Sequence, residues 1–118
     1  MTVALSLQKE QMAFTHDVVK LLAYVMGMGW GVTFGEVWRT EAQQKIYVAE
    51  GKSKTMNSYH RKRLAVDLNF YTPEGLLTYK REDLERFGAF WEGLNPLNRW
   101  GGNFKSILDT NHFERRQP

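Results

Sequence analysis

Leu64 to Phe70 alternates without a break: Leu64, Val66, Leu68 and Phe70 are apolar, and Ala65, Asp67 and Asn69 stand between them. Side chains along a β-strand point to opposite faces with a period of two. The run therefore predicts a strand with one row facing a core and Asp67 on the other face. His60 lies seven residues before Asp67, and a second couple, Asp109 and His112, lies three apart near the C-terminus. These couples hold two of the three histidines of the chain. Donor atoms that share one metal lie about 3 Å apart, given bonds of roughly 2 Å. Seven residues span about 10 Å on a straight helix and over about 20 Å on a straight strand. For His60 and Asp67 to meet, the chain must turn between them, and the polar run Arg61-Lys62-Arg63 is where it can. Asp109 and His112 need no such device, because in a turn or helix they share a side.

Around this strand, Met12, Val18, Val19, Leu22, Val25 and Met26 recur with helical spacing and predict a helix over residues 6–26, with Ser6 at its start and Gly27 and Gly29 ending it. Val32 to Trp38 reads as a strand. Thr40 and Gln43 fit a capping box for a helix ending near Gly51. Residues 52–57 are polar and basic and read as an exposed loop. Tyr71-Thr72-Pro73-Glu74-Gly75 is a turn signal. A third helix spans about 81–93, with Leu84, Phe87, Trp91 and Leu94 as its stripe. Residues 95–102, with Pro96 and the Gly101-Gly102 pair, read as a loop. Glu114 alternates with Phe113 on a terminal strand, either as a partner for a ligand histidine or simply exposed. About three helices mixed with a few strands, without regular βαβ alternation, predict an α+β fold around a small antiparallel sheet.

The 118 residues suit one domain, 1–118, with its own core and no linker to a second. With no cysteine, disulfides, thiolate zinc sites and a cysteine nucleophile are excluded, and zinc would have to be held by histidine and carboxylate. A catalytic zinc site needs three protein ligands, an open position, and a base beside it. The two couples supply two imidazoles, a carboxylate ligand and a spare carboxylate. His16 falls on the polar side of the first helix and is not expected to be a ligand. The N-terminus has no charged leader and the chain no long apolar run, so we expect synthesis in a cytoplasm without a signal peptide and no stable membrane association. The formal net charge is only +3, but Lys52, Lys54, Arg61, Lys62 and Arg63 concentrate it. Such clusters bind phosphate backbones, which makes a nucleic-acid-binding module the rival reading. The low net charge and the lack of a nucleic-acid fold motif count against it, and Gly101-Gly102 is no phosphate loop.

Three segments carry a family resemblance. Ser58-Tyr59-His60 followed by Leu64-Ala65-Val66-Asp67-Leu68-Asn69 resembles the SxHxxGxAxD motif of the M15 zinc peptidases, which include D-Ala-D-Ala carboxypeptidases and dipeptidases and the peptidoglycan endopeptidases of phage endolysins. Trp100-Gly101-Gly102-Asn103-Phe104 and Asp109-Thr110-Asn111-His112-Phe113-Glu114 resemble the C-terminal motif of the compact phage-type branch. Val37-Trp38-Arg39-Thr40 with Gln43 resembles the upstream arginine motif. The segments occur in the family's order and reach from Gly35 to Glu114. One departure stands out: Arg63 occupies a position where many members have glycine, so the loop there needs a non-glycine backbone solution.

The resemblance implies a hedgehog/DD-peptidase-like fold and Zn2+ as cofactor, with His60, Asp67 and His112 as ligands and Asp109 as the catalytic carboxylate. It implies that Arg39 stabilises a developing oxyanion or holds a substrate carboxylate. Ser58 and Trp100 are further candidates for substrate contact, Trp100 as a wall of the cleft or as core. The expected activity is hydrolysis of a stem-peptide bond of bacterial peptidoglycan by a monomeric enzyme of phage endolysin type, without a separate wall-binding domain, that reaches the wall after release. An L-alanyl-D-glutamate endopeptidase is the first expectation, and a D-alanyl-D-alanine carboxypeptidase the second.

Overall fold

The computed structural model describes residues 3–53 and 58–117. Lys54 and the rest of the 54–57 stretch, part of the expected basic loop, lie outside the described residues. The elements follow in the order α1 (Val3–Gly27), β1 (Gly31–Phe34), α2 (Glu41–Ala49), β2 (Ala65–Tyr71), β3 (Leu77–Thr78), α3 (Arg81–Leu94), β4 (Asn98–Trp100), a 3-10 turn (Gly101–Asn103) and β5 (His112–Arg115). The strands form an antiparallel sheet in the order β1-β2-β5-β4, with β3 paired to the end of β2. This is the expected α+β architecture.

β2 is the central strand, and its alternation sorts the molecule into two sides. Val66, Leu68 and Phe70 are buried against α1 and α3, while Asp67, Asn69 and Tyr71 are half-buried on the opposite face. Ala65 departs from the pattern, being fully buried although it shares the polar face. The core is aromatic. Phe70 stacks on Phe87 with centroids 5.3 Å apart, and Trp91 meets Phe14 at 5.6 Å and Phe113 at 6.0 Å, both edge to face. α3 presents Leu84, Phe87 and Trp91 as its buried stripe, with Leu94 packed at the margin.

Three local expectations need correction. On α1 the buried stripe is Phe14, Leu21 and Val25; of the expected residues Val25 is buried and Val18 and Leu22 pack against the core, whereas Met12, Val19 and Met26 are 68%, 61% and 58% exposed. Two apolar stripes of the same period run along this helix about 200° apart, and spacing cannot choose between them; the larger Phe14 fills the space beside Trp91. β1 stops at Phe34 instead of reaching Trp38. Beyond it, Gly35 donates to the Asp67 carbonyl at 2.7 Å while Asp67 donates to that of Glu36 at 2.8 Å. Two residues thus oppose one, as in a bulge. Finally, the stretch expected as a loop over 95–102 contains β4 and the start of the 3-10 turn. β4 is short, and its alternation has one buried residue on either side of Arg99, too few to register as a period.

Candidate metal centre

The site grows from the polar face of the sheet. β2 and β5 pair with Asp67 directly opposite His112 and Ala65 opposite Glu114. Cross-strand partners share a face, so Asp67, His112 and Glu114 stand together, with Phe113 turned into the core. His60 arrives from the tight coil that precedes β2. There Arg63 donates to the His60 carbonyl at 3.3 Å and Leu64 to that of Tyr59 at 2.9 Å. These bonds form the closing pattern of a helix C-terminus, which demands a left-handed residue between them. Arg63 supplies it, with φ of 55°. The turn expected between His60 and Asp67 is therefore present, and an arginine takes the glycine-like conformation. Ser58 Oγ accepts the His60 backbone N–H at 3.2 Å and fixes the start of the coil.

Three donor atoms converge. His60 Nε2 lies 3.2 Å from Asp67 Oδ1 and 3.2 Å from His112 Nδ1, and His112 Nδ1 lies 3.3 Å from Asp67 Oδ1. Ligands at roughly 2.0 Å around a tetrahedral ion are about 3.3 Å apart, so the triangle has the size a zinc ion requires. The outer nitrogens fix the tautomers. His60 Nδ1 faces the Val37 carbonyl at 3.3 Å, and a carbonyl only accepts, so this nitrogen carries the proton. His112 Nε2 donates to the buried carboxylate of Glu114 at 2.7 Å. Both inner nitrogens then turn lone pairs toward a carboxylate oxygen, an arrangement that repels itself unless a cation or a proton sits at the centre. Among the described residues, His60, Asp67 and His112 form a group able to hold a metal ion.

The electrostatics follow from this crowding. Without a metal, burial works against a charged His112, but the hydrogen bonds it donates to the Asp67 and Glu114 carboxylates prevail and its pKa is pushed up to about 9. Burial would raise the Asp67 carboxyl, yet the two histidines outweigh it and hold it well below the ordinary carboxylate range. Asp109 differs. Burial raises its pKa and Asp67 adds to the rise, against the opposing pull of His112, His60 and Arg39. It lines the cleft with His60, His112 and Arg39. Among the described residues its carboxyl has no hydrogen-bond partner, and it stands outside the metal-binding group. Gly101 makes this placement possible: a Cβ there would lie 2.1 Å from the Asp109 carbonyl oxygen and 3.0 Å from His112 Cβ.

The remaining expected residues divide. Arg39 reaches the cleft but is heavily engaged. Its Nε is paired with Glu36, one terminal nitrogen donates to Gln44 Oε1 at 2.8 Å and to Ser58 Oγ at 3.4 Å, and the guanidinium lies over the Tyr47 ring. Ser58 lines the cleft as expected. Trp100 does not, and its expected place on the cleft wall is corrected: it is 1% exposed, its indole N–H donates to the Thr110 carbonyl at 2.8 Å, and the bare Cα positions of Gly88 and Gly102 hold its ring in the core. Glu36, Gln44 and Tyr47, which position Arg39, were not legible in the sequence. Gln44 is fully buried inside a polar helix, and only its N-cap was readable: the Thr40 hydroxyl accepts from the Gln43 N–H at 3.1 Å. The basic cluster does not act as one surface. Lys62 donates to Gln117 and lies over Tyr59, Arg63 lies over Trp38, and Lys52 pairs with Glu50.

A sheet face that converges two histidines and an aspartate beside a free carboxyl defines a metallopeptidase-like arrangement, and comparison with known proteins gives the family. A family model described as D-alanyl-D-alanine carboxypeptidase, of the M15 peptidases, matches residues 51–115, more than half of the chain. The chain belongs to the M15 peptidase family. The match contains His60, Asp67, Asp109 and His112 and stops short of Arg39. The fold is similar to that of the Serratia marcescens L-Ala D-Glu endopeptidase ChiX, with a TM-score of 0.74 at 22% identity over 88% of this chain and 78% of that one. No curated protein matches the chain.

Proposed function

We propose that this M15 peptidase is a zinc-dependent peptidoglycan endopeptidase that hydrolyses the L-alanyl-D-glutamate bond of the stem peptide. The observation that carries the reading is a pair of adjoining cavities that share Ser58, Phe104 and His112 beside the triad. One arm, of about 200 Å3, runs past Arg39, Ser58 and Asp109; the other, of about 580 Å3, runs past Tyr59, Arg99 and Glu114. An endopeptidase needs room on both sides of the scissile bond. A carboxypeptidase acts at a chain end and needs room chiefly on one side, whereas two cavities adjoin this site. The structural likeness to an L-Ala D-Glu endopeptidase agrees with this choice, while the family description keeps the D-alanyl-D-alanine carboxypeptidase as the second reading.

His60, Asp67 and His112 would hold the zinc. When bound, zinc supplies a Lewis acid and brings the pKa of water to about 7. Asp109 takes the proton of the attacking water and returns it to the amine that leaves on D-glutamate. Burial raises its pKa toward the range in which a carboxylate is an effective base. Arg39, fixed by Glu36 and Gln44, faces the negative charge that develops on the carbonyl oxygen. Glu114 keeps His112 in the tautomer that turns Nδ1 inward.

Mass spectrometry of purified peptidoglycan digests decides between the readings. We expect new amino termini on D-glutamate and release of peptides from the glycan strands; free D-alanine as the only product would establish the carboxypeptidase instead. Asp109→Asn should abolish hydrolysis by at least about 10²-fold while stoichiometric zinc remains. Loss of zinc with activity would make Asp109 a ligand.

A further inference from the structure

The polar face of the sheet does not end at Glu114. In the register of β4 and β5, Arg99 lies opposite Glu114. Its neighbours Asn98 and Trp100 are buried on the core side, which leaves Arg99 on the face that carries Asp67 and His112. An arginine opposite a glutamate ordinarily forms an ion pair across the strands. Here it does not, because the Glu114 carboxylate is buried and already accepts from His112 at 2.7 Å. The Arg99 guanidinium lies instead over the ring of Phe104, 4.8 Å from its centroid, and that ring stands 5.7 Å from the imidazole of His112. Among the described residues Arg99 has no ion-pair partner. It lines the larger arm of the cleft, which it shares with Lys105.

We propose that Arg99 recognises the free α-carboxylate of the D-glutamate that follows the scissile bond. The inference rests on the endopeptidase reading. D-glutamate in the stem continues through its γ-carboxyl, so its α-carboxylate stays free next to the bond that is cut. A guanidinium presents two parallel donors that match a carboxylate. Stacking on Phe104 holds the group in place without using those donors, so the fork is available to a ligand. Arg39 offers less, since its Nε and one terminal nitrogen already serve Glu36, Gln44 and Ser58. The two arginines thus divide the work: Arg39 belongs to the reacting carbonyl, and Arg99 sets which stem peptides enter. A stem whose α-carboxyl is amidated keeps the size of the group and loses its charge, and should bind less well.

The test measures binding and products separately. Two muramyl peptides, one with D-glutamate and one with its α-amide, are titrated by calorimetry into zinc-loaded Asp109→Asn protein, with and without Arg99→Ala. With Arg99 in place, the acid stem should bind at least about tenfold more tightly than the amide, as a charge-assisted hydrogen bond gives. Arg99→Ala should bring that preference close to unity, and Arg99→Lys should retain part of it. A preference unchanged in Arg99→Ala, no preference in the parent protein, or no binding of the acid stem overturns the assignment. Digestion of the acid stem by the wild-type protein reports on the activity alone. Release of D-alanine would reject the endopeptidase reading, while the acid-to-amide preference would still decide whether Arg99 meets that carboxylate.

Discussion

Arg63 is the one non-glycine residue with positive φ among those described. A left-handed conformation costs an ordinary residue about 1–2 kcal/mol. The guanidinium offsets part of this by lying 5.0 Å from the centroid of the Trp38 ring, worth about 0.5–1 kcal/mol at such a site. Arg63→Gly removes the strain, loses the ring contact and adds unfolded-state entropy of about 0.5–1 kcal/mol, so thermal melts should place it within about 1 kcal/mol of the parent. Arg63→Val, branched at Cβ, should cost about 2 kcal/mol or more; equal melts for the two variants would show that this backbone is not strained. Asp109 gives a second expectation. Burial raises its pKa and Arg39 is among the charges that lower it. Arg39→Gln removes that help, so the acidic limb of the kcat/KM profile should move to higher pH, besides a rate loss of about 10²-fold; a limb that stayed in place would separate Arg39 from Asp109. The four residues that gather in the candidate site, His60, Asp67, Asp109 and His112, were legible because a metal site would restrict residue type and because the chain has so few histidines. Trp100 was not, since an aromatic beside two glycines has the same signature in a core as in a cleft wall. The partners of Arg39 were hidden because Glu36 sits at a bulge and Gln44 across a helix cap, neither of which has a pattern that names its contacts.

At the scale of elements, the site depends on how closely β5 and the preceding segment approach the 3-10 turn. Asp109 donates to the Gly101 carbonyl at 3.0 Å, and His112 to that of Asp109 at 3.1 Å. A methyl group on Gly101 would sit 2.1 Å from backbone, which cannot swing away as a side-chain tip can. Gly101→Ala should therefore displace Asp109 and His112 together. A shift of about 1 Å at a reacting group costs on the order of 10²-fold in rate, and zinc affinity should fall with it, as competition with a chromogenic chelator would report. Wild-type activity and affinity in Gly101→Ala would mean that the strands can part without consequence for the site. The elements read from the sequence were those with one unambiguous period: β2, where burial alternates from Val66 to Tyr71, and α3, with a single apolar stripe. α1 was found as a helix with Val18, Leu22 and Val25 toward the core as expected, but Met12, Val19 and Met26 were placed there too, because the helix carries two stripes. β4, three residues long, is defined by its pairing with β5, which no local pattern announces.

For the whole molecule, the His60–Asp67–His112 cluster couples folding to pH. In the metal-free protein the His112 pKa rises from 6.5 to about 9. A group whose pKa is higher when folded stabilises the fold fully below its unfolded value and loses that contribution as pH climbs through the folded one. Asp67 acts in the opposite sense. Its folded pKa is depressed from 3.8, so its contribution is present above that value and fades as the solution becomes more acidic. The metal-free fold should thus be most stable between about pH 4 and pH 6.5. The proposed zinc would change the upper boundary. It requires a neutral imidazole, so below about pH 9 binding must displace the proton that His112 holds. Each pH unit then raises the affinity about tenfold, or about 1.4 kcal/mol, and that energy appears as stability of the zinc-loaded fold. At a fixed, buffered free zinc concentration, the difference in Tm between loaded and chelator-stripped protein should widen steadily from pH 6 to pH 8.5. His112→Ala should abolish the difference, since one vertex of the triad is gone. A gap independent of pH in the wild-type protein would mean that no proton leaves His112 when the metal arrives, and that the lone pairs of the triad do not face a common centre.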